Sequence, residues 1–119
     1  MNRRKLGAAY EEQAASYLEH AGVHVICRNF RSRAGEIDLI GREGGTLVFV
    51  EVKYRSDVSS GMPEEALSFS KRRTISRVAD FYRVRYKIRS DVPCRFDVIA
   101  FEGDRLRHYV NAFPYVEPW

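Results

Sequence analysis

Two acids and a lysine lie where their side chains could act together. Asp38 is in the apolar run GEIDLI, and Glu51 and Lys53 are in the next run, VFVEVKYR, after the turn EGG at 43–45. Two β-type runs joined by a tight turn predict a hairpin over residues 35–54. Asp38 and Glu51 would then lie on neighbouring strands about 5 Å apart, where their carboxylates can share a hard cation such as Mg²⁺ or Mn²⁺.

This arrangement is typical of a site that hydrolyses a phosphodiester bond. A divalent cation lowers the pKa of a bound water and neutralises charge on a phosphate. Lys53 shares a strand face with Glu51 and could orient the water or stabilise the developing charge. We predict Asp38, Glu51 and the backbone carbonyl of Val52 as metal ligands, with Glu36, on the face of Asp38, as an additional candidate.

The opposite face of the hairpin is apolar, and we expect it to enter a core. It is predicted to carry Val48, Val50 and Val52 together with Ile37 and Leu39. A charged strand face is more often simply solvated, and an Asp–Lys pair between strands, worth about 0.2–1 kcal/mol, would also explain the pattern. The apolar run at 47–52 favours a central strand, whose charges would line a cleft.

The remaining elements follow from periodicity and turn residues. A helix is predicted over residues 3–21, with Asn2 as its N-cap and Gly22 as its stop, and a second helix over about 70–85. Strands are predicted over 23–28, 94–101 and 106–111, a basic loop over 29–33, another loop over 56–61, and a helical turn from Pro63. The chain is therefore predicted to be one α/β domain, residues 1–119, in the order α-β-β-β-α-β-β.

Several charged residues outside the hairpin have two interpretations. Glu11 flanks the apolar stripe of the first helix and either is solvated or reaches the pocket of the hairpin acids. Arg31 and Arg33 either lie in a solvated turn or contact phosphate. The second helix is predicted to carry a basic face, the sign that a nucleic-acid backbone requires. This face contains Lys71, Arg72, Arg73, Arg77 and Arg83. The residues predicted to bind nucleic acid are Arg31, Arg33, Arg55, Lys71, Arg72 and Arg73.

Composition narrows the class of protein. The net charge of +4 and pI near 9.3 suit a polyanionic partner. Cys27 and Cys94 lack metal-site or disulfide spacing, which indicates reduced thiols in a cytoplasmic protein. We find neither a signal peptide nor about 20 consecutive apolar residues, so no membrane association is expected. The tail, 113–119, contains two prolines and is predicted to pack its aromatic residues onto the domain or onto a partner subunit.

Longer motifs add a family resemblance. GEIDLI and VFVEVKYR resemble the PD-(D/E)-x-K nuclease superfamily and, more closely, the YraN-type family of uncharacterised bacterial (UPF) proteins. The likeness covers nearly the whole chain: G-x-x-Y-E-x-x-A at 7–14, RNFRSR before GEIDLI, the Lys71 region, RFDV at 95–98 and NAF at 111–113. It departs at Ile37, where the superfamily has proline. The resemblance implies a restriction-endonuclease-like fold, a mixed central sheet flanked by helices, related to archaeal Holliday junction resolvases. It also implies Glu11, Asp38, Glu51 and Lys53 as the catalytic set.

We therefore expect a Mg²⁺- or Mn²⁺-dependent endonuclease acting on DNA, with branched or structured DNA as one candidate substrate. A homodimer is one way for so small a chain to span a duplex. The alternative is a nucleic-acid-binding or accessory module without hydrolysis. A third interpretation is a scaffold domain that uses its C-terminal aromatic residues to bind a protein partner.

Overall fold

Five strands form one mixed sheet that is covered by a helix on each face. The computed structural model describes residues 3–55 and 67–117. Its elements are α1 (Arg3–His20), β1 (His24–Ser32), β2 (Gly35–Glu43), β3 (Thr46–Arg55), α2 (Phe69–Arg85), β4 (Cys94–Glu102) and β5 (Arg105–Phe113). The predicted α/β class and element order are confirmed. The predicted Asn2 cap, the loop at 56–61 and the helical turn from Pro63 lie outside the described residues.

The strands lie side by side in chain order, β1-β2-β3-β4-β5. Only the central pair, β3 and β4, is parallel, since α2 lies in the connection between them, and the other pairs are antiparallel. The predicted mixed sheet is thus confirmed. The turn between β2 and β3 consists of Gly44 and Gly45, and Gly44 has a φ of +58°, a conformation that glycine adopts without steric cost.

Each face of the sheet has its own core, so the central strand is apolar on both sides. Val48 and Val50 of β3 pack with α1, whereas Leu47 and Phe49 pack with α2. The prediction that Ile37 and Leu39 share one apolar face is wrong, because Ile37 belongs to the α2 core and Leu39 to the α1 core. The face of β3 that carries Glu51 is therefore apolar in its first half, at Leu47 and Phe49, and charged beyond that point.

The end of α1 is fixed by Gly22, as predicted. Gly22 has a φ of +95°, and its N–H donates to the Glu19 carbonyl at 3.3 Å while the Val23 N–H donates to the Leu18 carbonyl at 2.8 Å. These two bonds form a Schellman motif. Val23 and Leu18 pack in the same core, so the motif attaches the helix to the start of β1.

The basic segment at 29–33, predicted as a loop, continues β1 as far as Ser32, so that prediction is wrong. Arg31 pairs with Glu36 and Ser32 with Gly35, which makes β1 and β2 a hairpin. A Cβ atom at Gly35 would lie 2.8 Å from the Thr74 methyl group of α2. The hairpin turn therefore packs closely against this helix.

The helix α2 begins at the N-cap Ser68, whose hydroxyl accepts a hydrogen bond from the Lys71 N–H at 3.0 Å. Near its C-terminus, Arg83 is not available on a basic face, contrary to the prediction. Its guanidinium donates to the carbonyls of Val92, at 3.2 Å, and Arg89, at 3.0 Å. Arg83 thus holds the α2–β4 connection against the helix.

A buried carboxylate network joins β4 to β5. Asp97 is fully buried and accepts hydrogen bonds from Arg95 at 3.0 Å, from the Asn111 N–H at 2.9 Å and from His108 Nε2 at 2.8 Å. The Tyr17 hydroxyl of α1 is 3.1 Å from the other ring nitrogen of His108. Burial raises the pKa of Asp97, but these hydrogen bonds outweigh it and hold the pKa below its usual value.

The described part of the tail packs against α2, which is the first of the two predicted arrangements. The Tyr115 hydroxyl donates to Asp80 at 2.8 Å, and the Val116 N–H donates to the Ser76 hydroxyl at 3.0 Å. Neither helix, over the residues described here, carries an apolar run sufficient to cross a membrane.

Candidate metal and phosphodiester site

The acid pair lies where β2 and β3 separate. Their pairing runs from the turn to Leu39 and Val50. Just beyond that point, Asp38 Oδ2 accepts a hydrogen bond from the Val52 N–H at 2.8 Å. The carboxylate thus takes the place of a backbone partner between the strands, which holds Asp38 beside the segment containing Glu51.

Asp38 and Glu51 lie close enough for each carboxyl group to change the pKa of the other. Burial and the charge of Glu51 raise the pKa of Asp38 to about 7, and burial raises the pKa of Glu51. The pair is therefore costly to ionise fully without a cation, as expected for two acids in one half-buried place.

Two lysines face this pair. Lys71 Nζ of α2 lies 3.5 Å from Glu51 Oε2, and the side chain of Glu51 is only 12% exposed. Lys53 follows Glu51 by two residues along β3, so it shares the strand face, and its charge acts to lower the pKa of Glu51. The site therefore has two ammonium groups, that of Lys53, which was predicted to act in the chemistry, and that of Lys71.

Glu11 reaches the same region from α1, on the other face of the sheet. Burial raises its pKa, and the negative charge of Asp38 raises it further. A hydrogen bond from the Asn29 side chain opposes this rise. Asn29 has a φ of +53° within β1. Of the two interpretations of Glu11, the structure therefore favours proximity to the acids over simple solvation.

Glu36 is near the acids but is already paired. Its Oε2 lies 3.0 Å from Arg31 Nε across the β1–β2 ladder. Its negative charge also acts on Asp38 and Glu11. Glu36 therefore suits an outer position beside the acid pair better than a position as its direct partner.

The donor set suits a cation that keeps most of its water ligands. Among residues 3–55 and 67–117, no group of three or more His, Cys, Asp and Glu side chains is arranged to hold a metal ion. A pair of carboxylates is what Mg²⁺ commonly takes from protein, with waters and substrate phosphate completing the shell. Asp38 and Glu51 fit that requirement, and the Val52 carbonyl stays a predicted third ligand.

The basic residues predicted to bind a backbone have different neighbours in the fold. Lys71 faces Glu51, and Arg72 lies half-buried with its guanidinium 5.9 Å from the Phe69 ring centre. Arg31 pairs with Glu36, and Arg33 lies over the ring of Phe81, 5.4 Å from its centre. The remaining two are Arg73, which is half-buried, and Arg55, the last residue of β3.

Sequence reasoning missed the role of Lys71 beside Glu51. The spacing of Ser68 and Lys71 would have placed the lysine in the first turn of a helix. It could not show that this turn lies over β3, since that depends on how the connection between β3 and α2 folds back. Helical spacing likewise does not show that the ring of Phe81 is 36% exposed beside Arg33.

The chain is similar to proteins of one family along nearly its whole length. The profile of "Uncharacterised protein family UPF0102" matches residues 10–101. A UPF0102 protein of Lachnoclostridium phytofermentans is 44% identical over 113 residues, which cover 95% of this chain and 96% of the relative. UPF0102 proteins of Symbiobacterium thermophilum and Geobacter sulfurreducens are 46% and 45% identical, over 92% and 91% of this chain and 97% and 88% of theirs.

Proposed function

The chain belongs to the uncharacterised protein family UPF0102, and we propose that it is a divalent-metal-dependent endonuclease of the PD-(D/E)-x-K superfamily that hydrolyses phosphodiester bonds in DNA. The YraN-type family predicted from the motifs is confirmed by these relatives. The superfamily and the activity rest on the site. The observation that carries them is the position of Asp38 between the separating strands, where it accepts the Val52 N–H beside Glu51, with Lys71 3.5 Å from Glu51 and Lys53 two residues along the same strand.

The roles of the residues follow from charge and position. Asp38 and Glu51 would hold Mg²⁺ or Mn²⁺, which would supply a polarised water and neutralise charge on the phosphate. Lys53 orients the attacking water or stabilises negative charge on the phosphate oxygen. Glu11 supports the hydration shell from the α1 side. Lys71 holds Glu51 through their ion pair.

Cleavage of supercoiled plasmid and of a four-way branched DNA in Mg²⁺ or Mn²⁺ tests this proposal. Asp38→Asn and Lys53→Ala should each lower the cleavage rate about 100-fold or more, as loss of one charge-stabilising group commonly does. Asp91→Asn is the matched control, because Asp91 is 63% exposed and pairs with Arg89 away from the site. Equal cleavage by all variants would attribute the activity to a contaminant and contradict the proposal.

One observation favours the alternative, a nucleic-acid-binding module without hydrolysis. Lys71 already neutralises part of the charge on Glu51. The two acids therefore need a bound cation less than two unpaired acids would. Calorimetry with Mn²⁺ separates the two functions. A nuclease binds Mn²⁺ in the millimolar range or tighter and loses this in Asp38→Asn. The binding module takes up no Mn²⁺ and keeps salt-sensitive DNA binding in that variant.

A further inference from the structure

A groove lies between the end of β1 and the C-terminal half of α2, apart from the acid pair. Its volume is about 380 Å³. The hairpin contributes Arg31, Ser32 and Arg33, and the helix contributes Phe81, Val84 and Arg85. A second hollow adjoins it, lined by Arg33, Ala34, Arg77 and Phe81. The Phe81 ring with the Arg33 guanidinium thus stands between two concave surfaces.

This groove combines exposed apolar surface with positive charge. Phe81 is 36% exposed and Val84 77%, although both lie on a helix whose other face is core. No acidic side chain is among the described residues that line the groove or the adjoining hollow, although Glu36 forms an ion pair with the lining Arg31, so the positive charge comes mainly from Arg33, Arg77 and Arg85. The arginines Arg33 and Arg85 lie over the aromatic rings of Phe81 and Tyr86. An occupant must therefore offer negative charge and flat apolar groups together.

The groove is aligned with the acid pair. Lys71, Thr74, Val78, Phe81 and Arg85 succeed one another every three or four residues and so form one stripe of α2. Lys71 contacts Glu51, and Thr74 and Val78 lie against the hairpin turn at Gly35. Phe81 follows Lys71 by ten residues, which is about 15 Å along the helix at about 1.5 Å per residue. The turn covers the middle of this stripe, so a chain that reaches from the groove to the acids would pass over the turn at Gly35.

We propose that the groove binds an unpaired strand of nucleic acid, with a base stacked on Phe81 or on the Arg33 guanidinium above it and phosphates held by Arg31, Arg33 and Arg85. Aromatic rings and arginine planes are the usual stacking platforms for unpaired bases, and an electropositive groove follows the backbone. The rings of a duplex are already stacked on each other and cannot enter. This inference rests on the proposed function and deepens it, since it gives the nuclease a substrate with a single-stranded segment beside the cleavage point.

The test measures how tightly the full chain binds a fluorescent oligothymidylate of about 20 nucleotides. Fluorescence anisotropy reports the binding, and EDTA is present so that no cleavage occurs. Phe81→Leu should weaken binding about fivefold or more, because base stacking contributes about 1–3 kcal/mol. Phe81→Tyr, which keeps the ring, should bind like the wild type. Arg33→Gln should reduce the slope of log K against log salt by about 0.7, the value for one phosphate on a single strand.

Matched controls separate the groove from general charge. Arg105→Gln removes the same charge at an exposed position on β5, at the opposite edge of the sheet, and should leave binding unchanged within about twofold. A blunt duplex of equal length should bind more weakly, and Phe81→Leu should not change its affinity. An oligouridylate of equal length reports whether DNA or RNA is preferred.

The inference is overturned if Phe81→Leu and Phe81→Tyr bind the oligothymidylate equally, or if a polyglutamate peptide competes as well as the oligonucleotide does. The two proposals fail separately. Binding without cleavage in metal would remove the nuclease but keep the groove. Cleavage of branched DNA that is indifferent to Phe81→Leu, in a protein that does not bind the oligothymidylate, would remove the groove and keep the nuclease.

Discussion

At the scale of the residue, the site is costly to maintain without its substrate or cation. Asp38 and Glu51 share a half-buried position, and the pKa of Asp38 rises to about 7. A raised pKa means that the folded protein prefers the protonated acid, so that folding favours proton uptake between the ordinary value of 3.8 and about 7. This contribution to stability is present at low pH and is lost as pH rises through about 7. A divalent cation bound by the two acids would relieve this electrostatic cost.

Asp38→Asn should therefore stabilise the metal-free protein at pH 8, where the wild type carries a charged Asp38. The amide oxygen of asparagine can still accept the Val52 N–H bond. Thermal unfolding in EDTA measures this: Tm of the variant should exceed that of the wild type at pH 8, and the gap should close towards pH 4. A variant that is less stable than the wild type at pH 8 would contradict the assignment of strain to this carboxyl.

Asp97 is a buried acid of the opposite kind. Its pKa is held below 3.8, so its contribution to stability is present above that pH and lost as pH falls through the folded-state value. Asp97→Asn should cost about 3 kcal/mol or more of unfolding free energy at pH 7, because Arg95 and His108 lose a charged partner. Urea unfolding measures the loss. The exposed Asp91→Asn should change stability by less than about 0.5 kcal/mol. Equal effects of the two would refute a supporting role for Asp97.

At the scale of the element, the hairpin of β2 and β3 and the helix α2 bring the site together. The hairpin was predictable because two apolar runs joined by a tight turn at Gly44 and Gly45 specify it. The extension of β1 through residues 29–32 was not, since a run rich in Asn, Arg and Ser carries a loop composition. Its pairing with β2, through Arg31 and Glu36 among others, overrides that preference.

Gly41 of β2 tests how tightly β1, β2 and α1 pack. A Cβ atom there would lie 2.7 Å from a Val23 methyl group and 3.0 Å from the His24 carbonyl oxygen. Gly41→Ala should therefore destabilise the protein by about 1–3 kcal/mol, as overpacking commonly does. Gly45→Ala is the matched control, since its Cβ would meet nothing within 4 Å. The midpoints of urea unfolding compare them, and a Gly41→Ala protein as stable as Gly45→Ala would show that this contact relaxes freely.

At the scale of the whole molecule, the sequence pattern predicted the order of elements and the two strands that hold the acids, and the family resemblance implied the mixed sheet. The pattern did not predict that both faces of β3 are buried, because a short apolar run is compatible with one covered face or two. The pattern also did not indicate that Lys71 lies opposite Glu51 or that Phe81 is exposed beside Arg33. Both contacts depend on how α2 packs against strands that are distant in the sequence. The homodimer and the cytoplasmic location stay predictions, and sedimentation equilibrium tests the first of them.

The central claim is that Asp38 and Glu51 together seat a divalent cation. Anomalous diffraction from crystals soaked in Mn²⁺ tests it most directly. We predict one strong peak within about 2.0–2.6 Å of a carboxylate oxygen of each residue, displacing Lys71 from Glu51, and no peak there in Asp38→Asn crystals. Crystals that show no anomalous density between the two acids, with Lys71 still paired to Glu51, would contradict the account.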